Sequence, residues 1–109
     1  MSKGYAEIIL PYRNELCNFS GTVHGGFIAS IVDSAGGIAL MTLSDVEKLV
    51  STVELKLNFF KPVQQDIRAC ANILHKGGTL GVGHIEVKFD SDDTLVAVGT
   101  ATYFIKSGF

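Results

Sequence analysis

The sequence predicts an α+β domain, one long helix lying on the face of an antiparallel sheet of about five strands. Three observations predict it. Apolar residues recur at helical spacing from Ile28 to Thr42. From Val53 onward the apolar period drops to two. The later strand-like runs are separated by short turn-formers, Gly77-Gly78 and Asp90-Ser91-Asp92-Asp93, which leave no room for crossovers and so imply antiparallel pairing. At 109 residues the chain is expected to form one domain over residues 1–109.

Ala6–Leu10 is a short apolar run closed by Pro11 and reads as the first strand. A polar loop from Arg13 to Val23 leads to His24-Gly25-Gly26, where the helix begins. Ile28, Ile31, Val32, Ala35, Ile38, Ala39 and Thr42 form its apolar stripe. Val53, Leu55, Leu57 and Phe59 then alternate with Glu54, Lys56 and Asn58, and Lys61-Pro62 ends that strand. Ile67–Leu74, Leu80–Phe89 and Thr94–Ile105 are the remaining strands. Gly81-Val82-Gly83 inside a strand is expected to let the helix or a ligand come close. His75 is expected at a turn in solvent, and His84 on the surface beside Glu86 and Lys88.

Composition excludes several function classes. Hydrophobic residues are 47% and charged residues 18%, too apolar for a disordered chain. A net charge of −2 provides no basic field for a phosphate backbone, so no nucleic-acid partner is expected. The apolar stretch Phe27–Leu43 is interrupted by Ser30, Asp33, Ser34, Gly36 and Gly37, so no membrane span is expected. Cys17 and Cys70 match neither a zinc spacing nor a C-x-x-C pair, and two thiols without a secretory leader fit a reducing, cytoplasmic setting. No metal site, P-loop, dinucleotide fingerprint or G-x-S-x-G elbow is present in the sequence.

The helix carries the chemistry. Beside its aliphatic stripe runs a second stripe of Gly26, Ala29, Ser30, Asp33, Gly36, Gly37 and Leu40. Two glycines within a helix cost about 1 kcal/mol each relative to alanine, so something is expected to approach the backbone there. With large residues on one side and tiny ones on the other, the helix is expected to be enclosed, with a second copy of the chain as partner. Asp33 is the one charged residue of the helix, and no Lys or Arg accompanies it on that stripe. A carboxylate in such a place is expected to be buried and functional. At His24-Gly25-Gly26 the first-turn amides lack intrahelical acceptors and carry the positive end of the helix dipole. Glycine lets a substrate oxygen approach them, as in an oxyanion hole.

The run Asn18-Phe19-Ser20-Gly21-Thr22-Val23-His24-Gly25-Gly26, then Asp33, then Thr52-Val53-Glu54-Leu55-Lys56-Leu57-Asn58-Phe59-Phe60-Lys61-Pro62, with Gly78-Thr79-Leu80 and Ala101-Thr102-Tyr103-Phe104 beyond, resembles the hotdog-fold acyl-CoA thioesterases of the phenylacetate-pathway (PaaI-type) group. The resemblance implies a long helix wrapped by a curved sheet, homodimers joined edge to edge, and pairing of dimers into homotetramers. It implies an active site at the dimer interface. There the Gly25 amide and the Asn18 side chain polarise the thioester carbonyl from one subunit. Asp33 of the other acts as general base or nucleophile. Thr52 sits where the family often holds the water with Ser or Thr, and His24 orients the site. Strict alternation places Thr52 on the polar face with Glu54, so this role requires an irregular start to the strand. No separate cofactor is implied, because coenzyme A is part of the substrate.

Gly26, Phe27, Phe59 and Phe60 are the expected substrate contacts, with Lys61, Arg68 and Lys76 toward the CoA phosphates. The chain starts almost at its first strand, so a preceding segment found in many members is expected to be missing. Two other functions compete. A hotdog hydratase needs a His following the helix carboxylate, and Ser34-Ala35-Gly36-Gly37-Ile38 has none. A non-catalytic acyl-CoA-binding module has no need of Asn18, His24, Gly25 and Asp33 together.

Overall fold

The computed structural model describes residues 2–43 and 48–107. In chain order the elements are β1 (Tyr5–Leu10), a 3-10 turn (Asn14–Leu16), α1 (Gly25–Met41), β2 (Lys48–Phe59), β3 (Ile67–Lys76), β4 (Leu80–Phe89) and β5 (Leu95–Ser107). One five-stranded sheet runs β1-β3-β4-β5-β2, and every neighbouring pair is antiparallel. This is the α+β architecture expected from the sequence. The 3-10 turn within the Arg13–Val23 loop carries no periodic signal and was not expected.

The helix lies on the concave face. Ile28, Val32, Ala35, Ala39 and Leu40 are buried against Ala69, Ala71, Ile85, Val87, Ala97 and Ala101 of the sheet. Burial of each of the larger of these side chains stabilises the fold by about 1.5–3 kcal/mol. Alanines on the strands keep the helix close, and Gly81 goes further: a Cβ there would lie 2.6 Å from Leu40 Cδ1. The expected close approach at Gly81-Val82-Gly83 is that of the helix. On the convex face His84 faces Glu86, which also meets Lys88. His75 is exposed but lies within β3, beside an irregularity between Ile73 and His75.

β2 pairs with β5 and forms one edge, while β1 occupies the free side of β3. After β2 the chain stays tied to β5, with Phe60 N donating to Val96 O at 2.8 Å. It then passes under the helix start, where Val63 is buried and accepts a bond from Val23 N. β2 is thus a twelve-residue edge strand with one row of backbone groups unpaired among the described residues.

Candidate active site

Two cavities flank β2, one at each end, and each is founded on a different part of α1. The first belongs to the helix start. Val23 N and His24 N are bonded to Val63 O and Leu16 O at 2.9 Å each, which holds His24 extended (φ −57°, ψ 137°) and starts the helix at Gly25. His24 O accepts from Phe27 N and Ile28 N, so no donor from Gly25 or Gly26 is used there. Among the described residues these two amides have no acceptor, and a Cβ on Gly26 would meet nothing within 4 Å. They are open donors at the positive end of the dipole.

Asn18 organises the loop beside them. Its Oδ1 accepts from Ser20 N (2.9 Å), Thr22 Oγ1 (3.0 Å) and Thr22 N (3.3 Å). Backbone donors require the oxygen at that position, which leaves the Nδ2 amide hydrogens to point elsewhere as donors. The cavity here is about 370 Å³ and is lined by Thr22, Val23, Gly25, Phe59, Phe60 and Lys61. The His24 imidazole lies outside it, exposed and tilted against the Phe27 ring at 6.3 Å. Phe27 is therefore a surface neighbour of His24 in the protomer and does not line this cavity, in contrast to the expectation for it.

The second cavity, about 270 Å³, belongs to the middle of the helix and includes Asp33, Gly37, Ile38, Met41, Val50 and Thr52, floored by Tyr103. Thr52 Oγ1 donates to Asp33 Oδ1 at 2.7 Å. A bulge makes this contact. Thr52 is opposite Tyr103 and Glu54 opposite Thr102, so Val53 is an extra residue with no partner in the register. One inserted residue reverses which face the side chains occupy. Val50 and Thr52 therefore point to the helix before the bulge, as Leu55 and Leu57 do after it. Val53, expected on the inner face, is 59% exposed.

Tyr103 was not singled out by the sequence. Its hydroxyl donates to the backbone oxygen of Asp33 at 2.7 Å. It also lies so close to Gly36 that any side chain at 36 would collide with the phenol. One helix glycine is thereby accounted for. Burial first, and then the negative charge of Asp33, push the Tyr103 phenol well above its ordinary range, which keeps it a neutral donor. Asp33 itself is half-buried in the protomer, not buried as expected.

Gly25 and Asp33 are eight residues apart on one helix, so their reactive groups are separated by about 12 Å. Within one chain they open into different cavities. Lys76 sits exposed beside the β3–β4 turn and lines neither cavity. Arg68 corrects an expectation. Its guanidinium lies on the convex face, bonded to Glu7 (3.1 Å), Asp90 (2.9 Å) and Asp93. Three carboxylates occupy its donors, so it is not available to a phosphate. Among the described residues no group of His, Cys, Asp and Glu side chains is placed to hold a metal ion, and no helix is long and apolar enough to cross a membrane.

A helix wrapped by five antiparallel strands is the hotdog architecture, here with an open helix start and a carboxylate two turns on. The chain belongs to the Thioesterase superfamily, whose family model matches residues 20–102. It is 37% identical over 106 residues to a Saccharolobus solfataricus protein provisionally named an esterase, covering 96% of this chain and 74% of that one. Mouse acyl-coenzyme A thioesterase 13 is 32% identical over 87 residues, 78% of this chain and 61% of the relative. Among solved structures, a Bacillus halodurans protein crystallised with CoA superposes with a TM-score of 0.86 at 31% identity, covering 91% of this chain and 66% of that one.

Proposed function

We propose that the protein is an acyl-CoA thioesterase of the PaaI type, active as a homodimer whose two sites each draw on both protomers. The observation that carries this reading is the separation of the two groups. A carboxylate and an open amide about 12 Å apart cannot act on one carbonyl carbon. Strand β2 offers the remedy. Its outer edge is unpaired among the described residues, Thr52 marks the Asp33 cavity, and Phe59 marks the Gly25 cavity. Antiparallel pairing of β2 with its own copy about a two-fold axis between Leu55 and Lys56 sets Thr52 opposite the partner's Phe59. Asp33 is then brought toward the partner's Gly25, and the half-open face of the helix gains its cover. Pairing of these dimers into homotetramers is part of the same proposal.

In this site the carboxylate of Asp33 takes a proton from water as the water oxygen bonds to the thioester carbon. Thr52 holds the carboxylate in place. Negative charge gathers on the carbonyl oxygen, facing the partner's Gly25 amide and Asn18 Nδ2. Collapse breaks the C–S bond, and the proton on Asp33 passes to the departing CoA sulfur. One preorganised amide is worth about 10²–10³ in rate, and a positioned base about 10²–10⁴. The alternative, attack by Asp33 itself as nucleophile, uses the same contacts. His24, exposed in the protomer, orients the helix start; Gly26, Phe59 and Phe60 contact the thioester arm, and Lys61 meets the CoA phosphates.

Support comes from the membership in the superfamily, from the relative named an acyl-CoA thioesterase and from the similar structure holding CoA. The test is thiol release from a panel of acyl-CoA and acyl-carrier-protein thioesters, with the Asp33→Ala variant beside the wild type and light scattering for the assembly. Hydrolysis by a dimer or larger assembly, lost in Asp33→Ala, is expected. CoA binding without hydrolysis, or an active monomer, would overturn the reading.

A further inference from the structure

The cavity at Asp33 has a shape and polarity that the hydrolase reading leaves unused. It runs along the C-terminal half of α1 from Asp33 to Met41, a reach of about 12 Å, with Ile38, Val50 and the Tyr103 ring as its apolar walls. Among the described residues Asp33 is its only charged lining residue, whereas the cavity at the partner's helix start carries Lys61. Of the two halves of an acyl-CoA, the polyanionic one is repelled by a carboxylate and drawn to a lysine.

Gly37 is the second clue. Gly36 is fixed by the Tyr103 hydroxyl, but a Cβ on Gly37 would meet only Tyr103 Cε1, at an ordinary 3.8 Å. Among the described residues nothing demands glycine at 37, although glycine there destabilises the helix relative to alanine. Its missing side chain widens the cavity midway between Asp33 and Met41. We propose that this cavity is the acyl subsite, that it takes a straight apolar acyl chain, and that Gly37 and Met41 set the chain length accepted. The proposal rests on the hydrolase reading for its substrate and adds to it the assignment of the two cavities.

The test is kcat/KM for straight-chain acyl-CoAs from acetyl to palmitoyl, with phenylacetyl-CoA included, on wild type, Gly37→Leu and Met41→Ala. In Gly37→Leu the ratio of long-chain to acetyl kcat/KM is expected to fall at least about tenfold, the scale on which a few methylenes discriminate in an apolar pocket. In Met41→Ala the preferred length should increase. Should Gly37→Leu fail to fold, Gly37→Ala introduces a single methyl group at ordinary contact distance, and its ratio should fall about threefold with no loss of Tm. An unchanged length profile in these variants, as a cavity filled by a partner side chain would give, overturns the proposal. So does a phenylacetyl-CoA kcat/KM above that of every straight chain. If the wild type hydrolyses no thioester, the hydrolase reading fails separately. Calorimetric binding of S-hexyl- and S-dodecyl-CoA thioethers then decides the subsite: a length preference that Gly37→Leu reverses sustains it, and equal affinities overturn it.

Discussion

Replacing Gly25 by proline removes the N–H donor at the helix start while keeping the backbone conformation already present there, which makes it a direct test of that donor. Gly25 is the first helical position, where proline's fixed φ suits the helix and its missing N–H costs no intrahelical bond. The preceding residue, His24, already has the extended backbone that a following proline requires. A Cβ at 25 would lie 3.3 Å from Phe59 Cζ, the far end of a side chain. A reduced unfolded-state entropy stabilises by about 0.4–1 kcal/mol and offsets that crowding, so Tm should move by less than about 5 °C. Catalysis should respond differently. Loss of one oxyanion donor costs about 2.7–4 kcal/mol, a fall of 10²–10³ in kcat. The assay is the initial rate of CoA thiol release, with Tm measured on the same preparations. Gly25→Ala is the control, since it brings the same Cβ but keeps the amide; it should lose far less. If Gly25→Pro folds normally and keeps kcat within about threefold of wild type, the amide does not stabilise the developing charge.

The other side of the site gives three further expectations. Asp33→Asn preserves shape and should reduce kcat by about 10²–10⁴ in the same assay. Thr52→Val, which removes the 2.7 Å bond to Asp33, should lower kcat by about tenfold while leaving Tm nearly unchanged. Tyr103 supplies a pH signature. Its folded-state pKa lies above the unfolded value, so the stability it contributes is complete below about pH 10 and is lost as pH rises beyond that. Tm measured from pH 8 upward should therefore decline more steeply above pH 10 in the wild type than in Tyr103→Phe. The same variant, lacking the bond to the Asp33 carbonyl, should be less stable at pH 8 by about 1 kcal/mol.

How far the sequence could be read depended on whether a feature obeyed a period. The helix, its start at Gly25 and the strand Leu80–Phe89 followed from regular spacing and punctuation, and the structure has them there. Thr52 was legible only as a conflict, because alternation put it on the wrong face until a bulge at Val53 is allowed for. Bulges leave no mark in composition, and for the same reason β2 began five residues earlier than its alternation suggested. The β2–β5 pairing was hidden because partners so far apart in sequence share no local signal. Tyr103 could have been found by asking what fills the space over Gly36, since a glycine forced into a helix implies a neighbour. Arg68 failed in the opposite way: three acidic residues distant in sequence converge on it, and only the fold brings Glu7, Asp90 and Asp93 together. Asp33 is half-exposed among the described residues, where the helical stripe alone suggested burial.

Mixing two inactive variants tests directly whether each site is shared between protomers. Asp33→Ala and Gly25→Pro chains are unfolded together, refolded at equal concentration and assayed for thiol release against each variant alone. A mixed dimer built as proposed holds one site with both intact groups and one with neither. Random pairing should then restore about a quarter of wild-type activity. Activity remaining at the level of the separate variants, with mixed dimers demonstrated to be present, would mean that one chain supplies both groups and would contradict the account.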